Sequence, residues 1–227
     1  MGKNRYIFLD QLRGIAIVLM ITFHFCFDLN YFLFIQIDFI HNPFWIFFQR
    51  LIVFIFLTCV GISLAVVHQK KIKFKKALIR FAILVGWAVA LSATTYFIFP
   101  RNGIYFGVIH CIALSSLVAF LFLRIPMIAG GVGVTLLILD LFFGIGLPWI
   151  KLSHTALDYC PFFPWFGAVL FGIFLHRVNF HTLNINALST SWLVYLGKHS
   201  LAIYFIHQPV LFGFIGAAWW LKSNYPL

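Results

Sequence analysis

The sequence predicts an all-α integral membrane protein, a bundle of about seven transmembrane helices with a cytoplasmic N-terminus and an extracytoplasmic C-terminus. Of its 227 residues 63% are hydrophobic and only 9% charged, with a mean hydropathy of +1.02. A soluble domain, whose outer face must meet water, is far more polar. Apolar runs of about 20 residues recur, the length that crosses about 30 Å of hydrocarbon at 1.5 Å per helical residue. The two-residue alternation of an outer-membrane barrel strand is absent from these runs.

The first segment, Leu12–Ile35, lies between Asp10 and Asp38. Phe44–Val67 follows Asn42 and Pro43 and closes at His68. Ala77–Phe99 runs from the lysines at 75 and 76 to Pro100, and Tyr105–Leu123 from Gly103 to Arg124. Pro126–Leu147 starts on its own proline and meets Pro148. Phe162–Leu175 lies between Pro161 and Arg177, and Ser200–Leu221 between Lys198 and Lys222. The stretch Asn179–Lys198 has room for an interfacial helix bearing Trp192, Leu193 and Tyr195. With no repeat and no linker, residues 1–227 read as one membrane domain.

Orientation follows from the one dense basic run, His68 to Arg80, which the positive-inside rule places in the cytoplasm. Of the 16 Lys and Arg residues, twelve then fall inside and four outside, namely Arg50, Arg101, Lys151 and Lys222. This distribution assigns the basic charge to topology and argues against nucleic acid as a partner. Asp10 and Arg13 interrupt the N-terminal run, which excludes a cleaved signal peptide. Four cysteines, Cys26, Cys59, Cys111 and Cys160, show neither metal-ligand spacing nor a disulfide framework. No metal is expected.

With orientation fixed, the polar residues inside the membrane form two sets. The outer set holds His24 and Asp28, one turn apart on the first helix, with His110 and Asp140; the outer connections add His41, Arg50, Arg101, His154 and Asp158. A charged group at depth costs about 2.5–3.5 kcal/mol on insertion scales, so several together indicate a shared, functional reason. Pairing of His24 with Asp28, or of Asp140 with Arg50 or Arg101, is the structural alternative. Asp38 reads as a solvated loop residue. The inner set holds Asp10 and Arg13, Lys70 to Arg80, Lys198, His199 and Ser200, with His207 and Gln208 two turns into the last helix. Its positive charge suits anionic lipid and also a polyanionic cytoplasmic ligand. Gly61, Ser63, Gly86, Gly130, Gly131 and Gly133 are expected at helix contacts.

The opening Asp10-Gln-Leu-Arg13-Gly14-Ile-Ala-Ile, followed by Phe23-His24-Phe25 and Asp28-Leu29, resembles the catalytic domain of heparan-alpha-glucosaminide N-acetyltransferase and its small bacterial relatives, within a wider transmembrane acyltransferase superfamily. The likeness extends through His41-Asn-Pro-Phe-Trp45, Gly61-Ile-Ser63, Arg101 to His110, Asp158 to Gly167, and Leu196 to Pro209. It implies transfer of an acetyl group from cytoplasmic acetyl-CoA to an extracytoplasmic hydroxyl or amine, on a glycan or amino sugar, in a multi-pass protein of the bacterial cytoplasmic (inner) membrane. His41 occupies the place of the central histidine. The lysosomal enzyme is longer, has a lumenal domain, and lacks the His24/Asp28 pair.

The catalytic candidates are therefore His41, Asp28, His24, Arg101, His110 and Asp158. Asp28 or Asp158 is expected to orient the His41 imidazole, and Arg101, Asn102 or His110 to stabilise an oxyanion. The cofactor-binding candidates are Asp10, Arg13, Lys198, His199, His207 and Gln208, the last two along the path of the pantetheine arm. Expected partners are the lipid bilayer, acyl-CoA and the acceptor, with a homodimer left open. Two rival readings are a transporter or proton-coupled carrier, and a haem-binding electron-transfer protein ligated by two of His24, His110 and His207.

Overall fold

A computed structural model describes residues 6–68, 71–98, 103–149, 158–183 and 191–225, and among these there is no strand. The described residues form eight helices in order: α1 (Ile7–Tyr31), α2 (Pro43–His68), α3 (Phe74–Ile98), α4 (Val108–Val118), α5 (Pro126–Phe143), α6 (Phe162–Arg177), α7 (Ser191–Lys198) and α8 (Ser200–Asn224). A single 3-10 turn, Ala119–Leu121, extends α4, and another, Phe180–Thr182, follows α6. Each of the seven apolar segments is helical, and α7 lies within the stretch set aside for an interfacial helix. Among the described residues, five helices (α1, α2, α3, α5 and α8) are long and apolar enough to cross a membrane; Val108–Leu121 and α6 are shorter.

Several boundaries move, for local reasons. Helix α5 ends at Phe143 instead of Leu147 because Gly144 takes a left-handed φ of 62°, its N–H bonded to the Asp140 carbonyl and the next N–H to Leu139. Helix α1 ends at Tyr31. There Leu33 has a φ of 61°, and the Asn30 side chain accepts the Ile37 N–H at 2.7 Å, turning the chain out of the helix.

The chain divides into two compact units, the first comprising residues 1–56 and 182–227 and the second residues 57–181. In the first unit α1 packs on α7 and α8. Backbone meets backbone there: a Cβ added at Gly14 would land on the Leu193 carbonyl, and one at Gly197 on that of Asp10. Around this contact Ile17, Met20 and Ile52 form a buried core lined by Phe23, Phe56, Leu196, Ile203 and Tyr204.

The second unit is built on close approaches of small residues, as expected for helices that must pack where lipid is as apolar as leucine. Gly133 and Gly167 face each other across α5 and α6, Gly130 lies against Phe174, and Gly61 of α2 meets Val169 and Gly172 of α6. Gly86 and Gly131 have no atom within 4 Å of a built Cβ, so the expectation of a helix contact fails at both.

Candidate functional site

In the first unit the loop between α1 and α2 is tied down by Phe39, whose ring packs against Phe23, Phe27 and Trp45 at 5.5, 5.4 and 4.8 Å. That anchor sets the geometry of the polar residues beside it. Asp38 Oδ1 accepts the N–H groups of Ile40 and His41 at 3.0 and 2.9 Å, and Oδ2 lies 3.0 Å from His41 Nδ1. Asn42 then accepts the Phe44 N–H at 3.0 Å and starts α2 at Pro43. The His41 N–H, ahead of its neighbours, holds the Asp38 carboxyl below the usual carboxylate range. Since a carboxylate only accepts, His41 Nδ1 carries the hydrogen, and in the neutral ring the lone pair is on Nε2. With its side chain 81% exposed, His41 is open to an incoming substrate.

Asp38 is therefore the carboxylate on His41, a correction to its reading as merely solvated. The three-residue spacing, just ahead of an Asn-Pro helix start, was the available signal. Asp28 and Asp158, the expected orienting groups, are engaged elsewhere. Asp158 Oδ2 accepts the Val108 N–H at 3.2 Å at the start of α4, and a Cβ at Gly107 would come within 2.6 Å of that oxygen. Arg101, Asn102 and His154 lie outside the described residues.

A second polar cluster joins α1 to α8. Gln208 Nε2 donates to Asp28 Oδ1 at 2.9 Å, and the His24 and His207 rings meet edge to face with centroids 4.9 Å apart. Asp28 takes its hydrogen bond from Gln208 and not from His24, so the simple pair on one helix face is not formed. His207 and Gln208, expected on the path of a cytoplasmic cofactor, instead complete the site begun by His24 and Asp28. His207 Nδ1 faces the Tyr204 and Ile203 carbonyls at 2.7 and 3.2 Å, so that nitrogen carries the hydrogen and Nε2 the lone pair. Asp28 is fully buried and His207 9% exposed. The two rings are too close for opposite axial ligands of a haem, whose centroids stand about 6 Å apart or more with metal–nitrogen bonds of about 2 Å. Among the described residues no group of three or more His, Cys, Asp or Glu side chains is placed to hold a metal ion.

In the second unit His110 is committed to structure. Its Nδ1 accepts the Gly107 N–H at 3.2 Å, which leaves Nε2 to donate to Ser92 Oγ at 3.1 Å, and Ser92 donates to the Ile104 carbonyl at 2.6 Å. Both ring nitrogens are used, which corrects the expectation that His110 is an oxyanion donor. The Cys160 thiol is pushed well up by its hydrogen bond to Cys111 and by burial, so it is not a thiolate nucleophile.

At the other end of the first unit, Arg13 Nη1 lies 3.2 Å from Asp10 Oδ1. The contact of Gly197 with the Asp10 backbone brings Lys198 and His199 to the same end; both are exposed, with the His199 ring 4.6 Å from that of Tyr195.

A family model described as "Heparan-alpha-glucosaminide N-acetyltransferase, catalytic" matches residues 5–209. No curated protein and no solved structure matches the chain.

Proposed function

The chain belongs to the heparan-alpha-glucosaminide N-acetyltransferase catalytic family, and we propose that it moves an acetyl group from cytoplasmic acetyl-CoA to an extracytoplasmic hydroxyl or amine, on a glycan or amino sugar. The observation that carries the proposal is the Asp38–His41 pair, which leaves a basic imidazole nitrogen exposed beside the start of a helix. His41 Nε2 takes the proton of the acceptor as it attacks the thioester carbonyl, and Asp38 holds the ring in the required tautomer and offsets the charge of the imidazolium. Arg13 and Lys198 supply positive charge that suits the phosphates of the donor. In this topology seven helices span the cytoplasmic (inner) membrane of a bacterium, with the N-terminus inside, and His41 facing outward.

The test has two parts. Binding of acetyl-CoA to the detergent-purified chain is read as a rise in melting temperature, weakened in Arg13→Ala and Lys198→Ala. Transfer of labelled acetyl to D-glucosamine is then compared in wild type and His41→Ala, where general-base catalysis predicts a loss of about 10²–10⁴-fold. A folded His41→Ala protein acetylating at the wild-type rate removes this mechanism. Recovery of acetyl on His41 in a stalled reaction replaces base catalysis with a covalent route.

A further inference from the structure

The cluster between α1 and α8 is short of hydrogen-bond donors. Four of its buried polar atoms have no protein partner: His24 Nδ1, Asp28 Oδ2, His207 Nε2 and Gln208 Oε1. Gln208 Oε1 is an acceptor, and so is Asp28 Oδ2 when the carboxyl is ionised. His207 Nε2 is a third, because the hydrogen of that ring is spent on the Tyr204 carbonyl. In that state only His24 Nδ1 can donate, and one donor cannot serve three acceptors. The group that completes the cluster must bring two or more N–H or O–H donors. Both helices are long and apolar enough to span a membrane, and lipid tails carry no donors. Buried polar groups arranged in this way are commonly completed by internal water, which makes about three hydrogen bonds at such a site.

We propose that His24, Asp28, His207 and Gln208 hold bound water and pass protons along it, as a site distinct from the Asp38–His41 pair. His207 Nε2 and the Asp28 carboxylate are the groups that gain and lose the proton; Gln208 fixes one Asp28 oxygen and leaves the other to the water. Tyr204, whose ring is 6.0 Å from that of His207, contributes its carbonyl. Phe23 packs edge-on to His24 at 5.7 Å and to Phe39 at 5.5 Å, so one aromatic wall borders both the cluster and the loop of His41.

The use of such a site rests on the acetyl-transfer reading. In that reaction the acceptor X–H bond and the thioester C–S bond break, an X–C bond forms, and the thiolate must take up one proton. No proton is gained or lost overall. One proton must nevertheless travel from the acceptor to sulfur, and the cluster offers groups able to carry it.

X-ray hydroxyl-radical footprinting of the full chain in detergent tests the water, since radicals formed from bound water label the side chains that hold it. The expected result is oxidation of His24 and His207 that falls several-fold in Gln208→Leu, with buried Met20 as the dry reference on α1. Labelling of both histidines at the same low rate in wild type and variant overturns the site. His207→Gln then tests the relay: acetyl transfer drops about 10–100-fold with a larger solvent isotope effect, while the acetyl-CoA melting shift is kept. A wet site with full turnover and an unchanged isotope effect in His207→Gln overturns proton transfer. If wild type moves no acetyl at all, the acetyl-transfer reading fails, while the footprint still decides the water.

Discussion

Two glycines two residues apart on α5 predict opposite outcomes for the same substitution. A Cβ at Gly133 would lie 2.7 Å from the Gly167 carbonyl oxygen, 2.9 Å from the Phe171 nitrogen and 3.0 Å from Leu170 Cβ. The first two neighbours are backbone, which no rotamer change can clear. Ordinary van der Waals contact for such atoms is about 3.5 Å, so α5 and α6 must part by several tenths of an ångström along a seam where both helices present glycine. Overpacking of this kind costs about 1–3 kcal/mol. At about 2–4 °C per kcal/mol for a chain of this size, Gly133→Ala lowers the melting temperature by about 2–12 °C. Gly131 has nothing within 4 Å of its built Cβ. Gly131→Ala gains helix propensity of up to about 1 kcal/mol and leaves the melting temperature unchanged or raised. Thermal unfolding of the two variants in one detergent, followed by helical circular dichroism, makes the comparison. Equal melting temperatures for the pair would refute the seam.

Asp38→Asn keeps the shape of the loop acceptor but removes its charge, and is expected to slow acetyl transfer about 10–100-fold with KM unchanged; an unaltered rate would detach Asp38 from the chemistry. Because the folded Asp38 carboxyl is held below its unfolded value, its contribution to the loop is present above that unfolded value, near pH 4, and fades as pH falls through the folded one. Amide exchange of Ile40 and His41 at pH about 3 against pH about 6 reads that loss. His110→Leu strands the Gly107 N–H and frees Ser92, lowering stability by about 1–3 kcal/mol while turnover per folded molecule is kept; lost turnover with an unchanged melting temperature would restore His110 to the catalytic set. His181 is buried, which lowers its affinity for a proton in the folded state, and its Nδ1 lies 3.2 Å from that of His176. Its contribution is full above the unfolded value near pH 6.5 and is lost as pH falls toward the depressed folded one, so the melting temperature declines on acidification. His181→Leu should flatten that decline, and an identical slope in wild type and variant would exclude the pair as its source.

The helices were legible because a membrane imposes a length and a composition on every segment that crosses it, and five of the seven apolar runs form helices that meet both. Their ends were less so. Gly144 stops α5 by its dihedral angles, and hydropathy continues through it to Leu147. Among the polar residues, His41 could be placed because helix counting puts it in the connection between the first two segments, whereas its partner depended on how residues 38–41 turn. The hydrogen bond between Asp28 and Gln208 joins positions 180 residues apart, beyond the reach of any periodicity within one segment. His110 misled for a different reason: a histidine in an apolar run looks costly until its neighbours are known to use both nitrogens.

Two histidines in the first unit share a tautomer and differ in what holds it. His41 gives its Nδ1 hydrogen to a carboxylate, His207 to carbonyls of its own helix. A carboxylate beside the ring offsets the full charge of an imidazolium, which in the proposed reaction lets His41 keep the acceptor's proton through the attack on the thioester. Helical carbonyls offer only dipoles, and in the proposed relay a proton on His207 passes to a neighbouring acceptor, the bound water. Storage at one and release at the other is the division of roles that the proposed relay assigns to the two histidines. Giving His207 a carboxylate partner, by Tyr204→Asp, should therefore slow turnover even though it strengthens the base. Faster turnover in that variant would mean that His207 holds its proton during the reaction and does not pass it on.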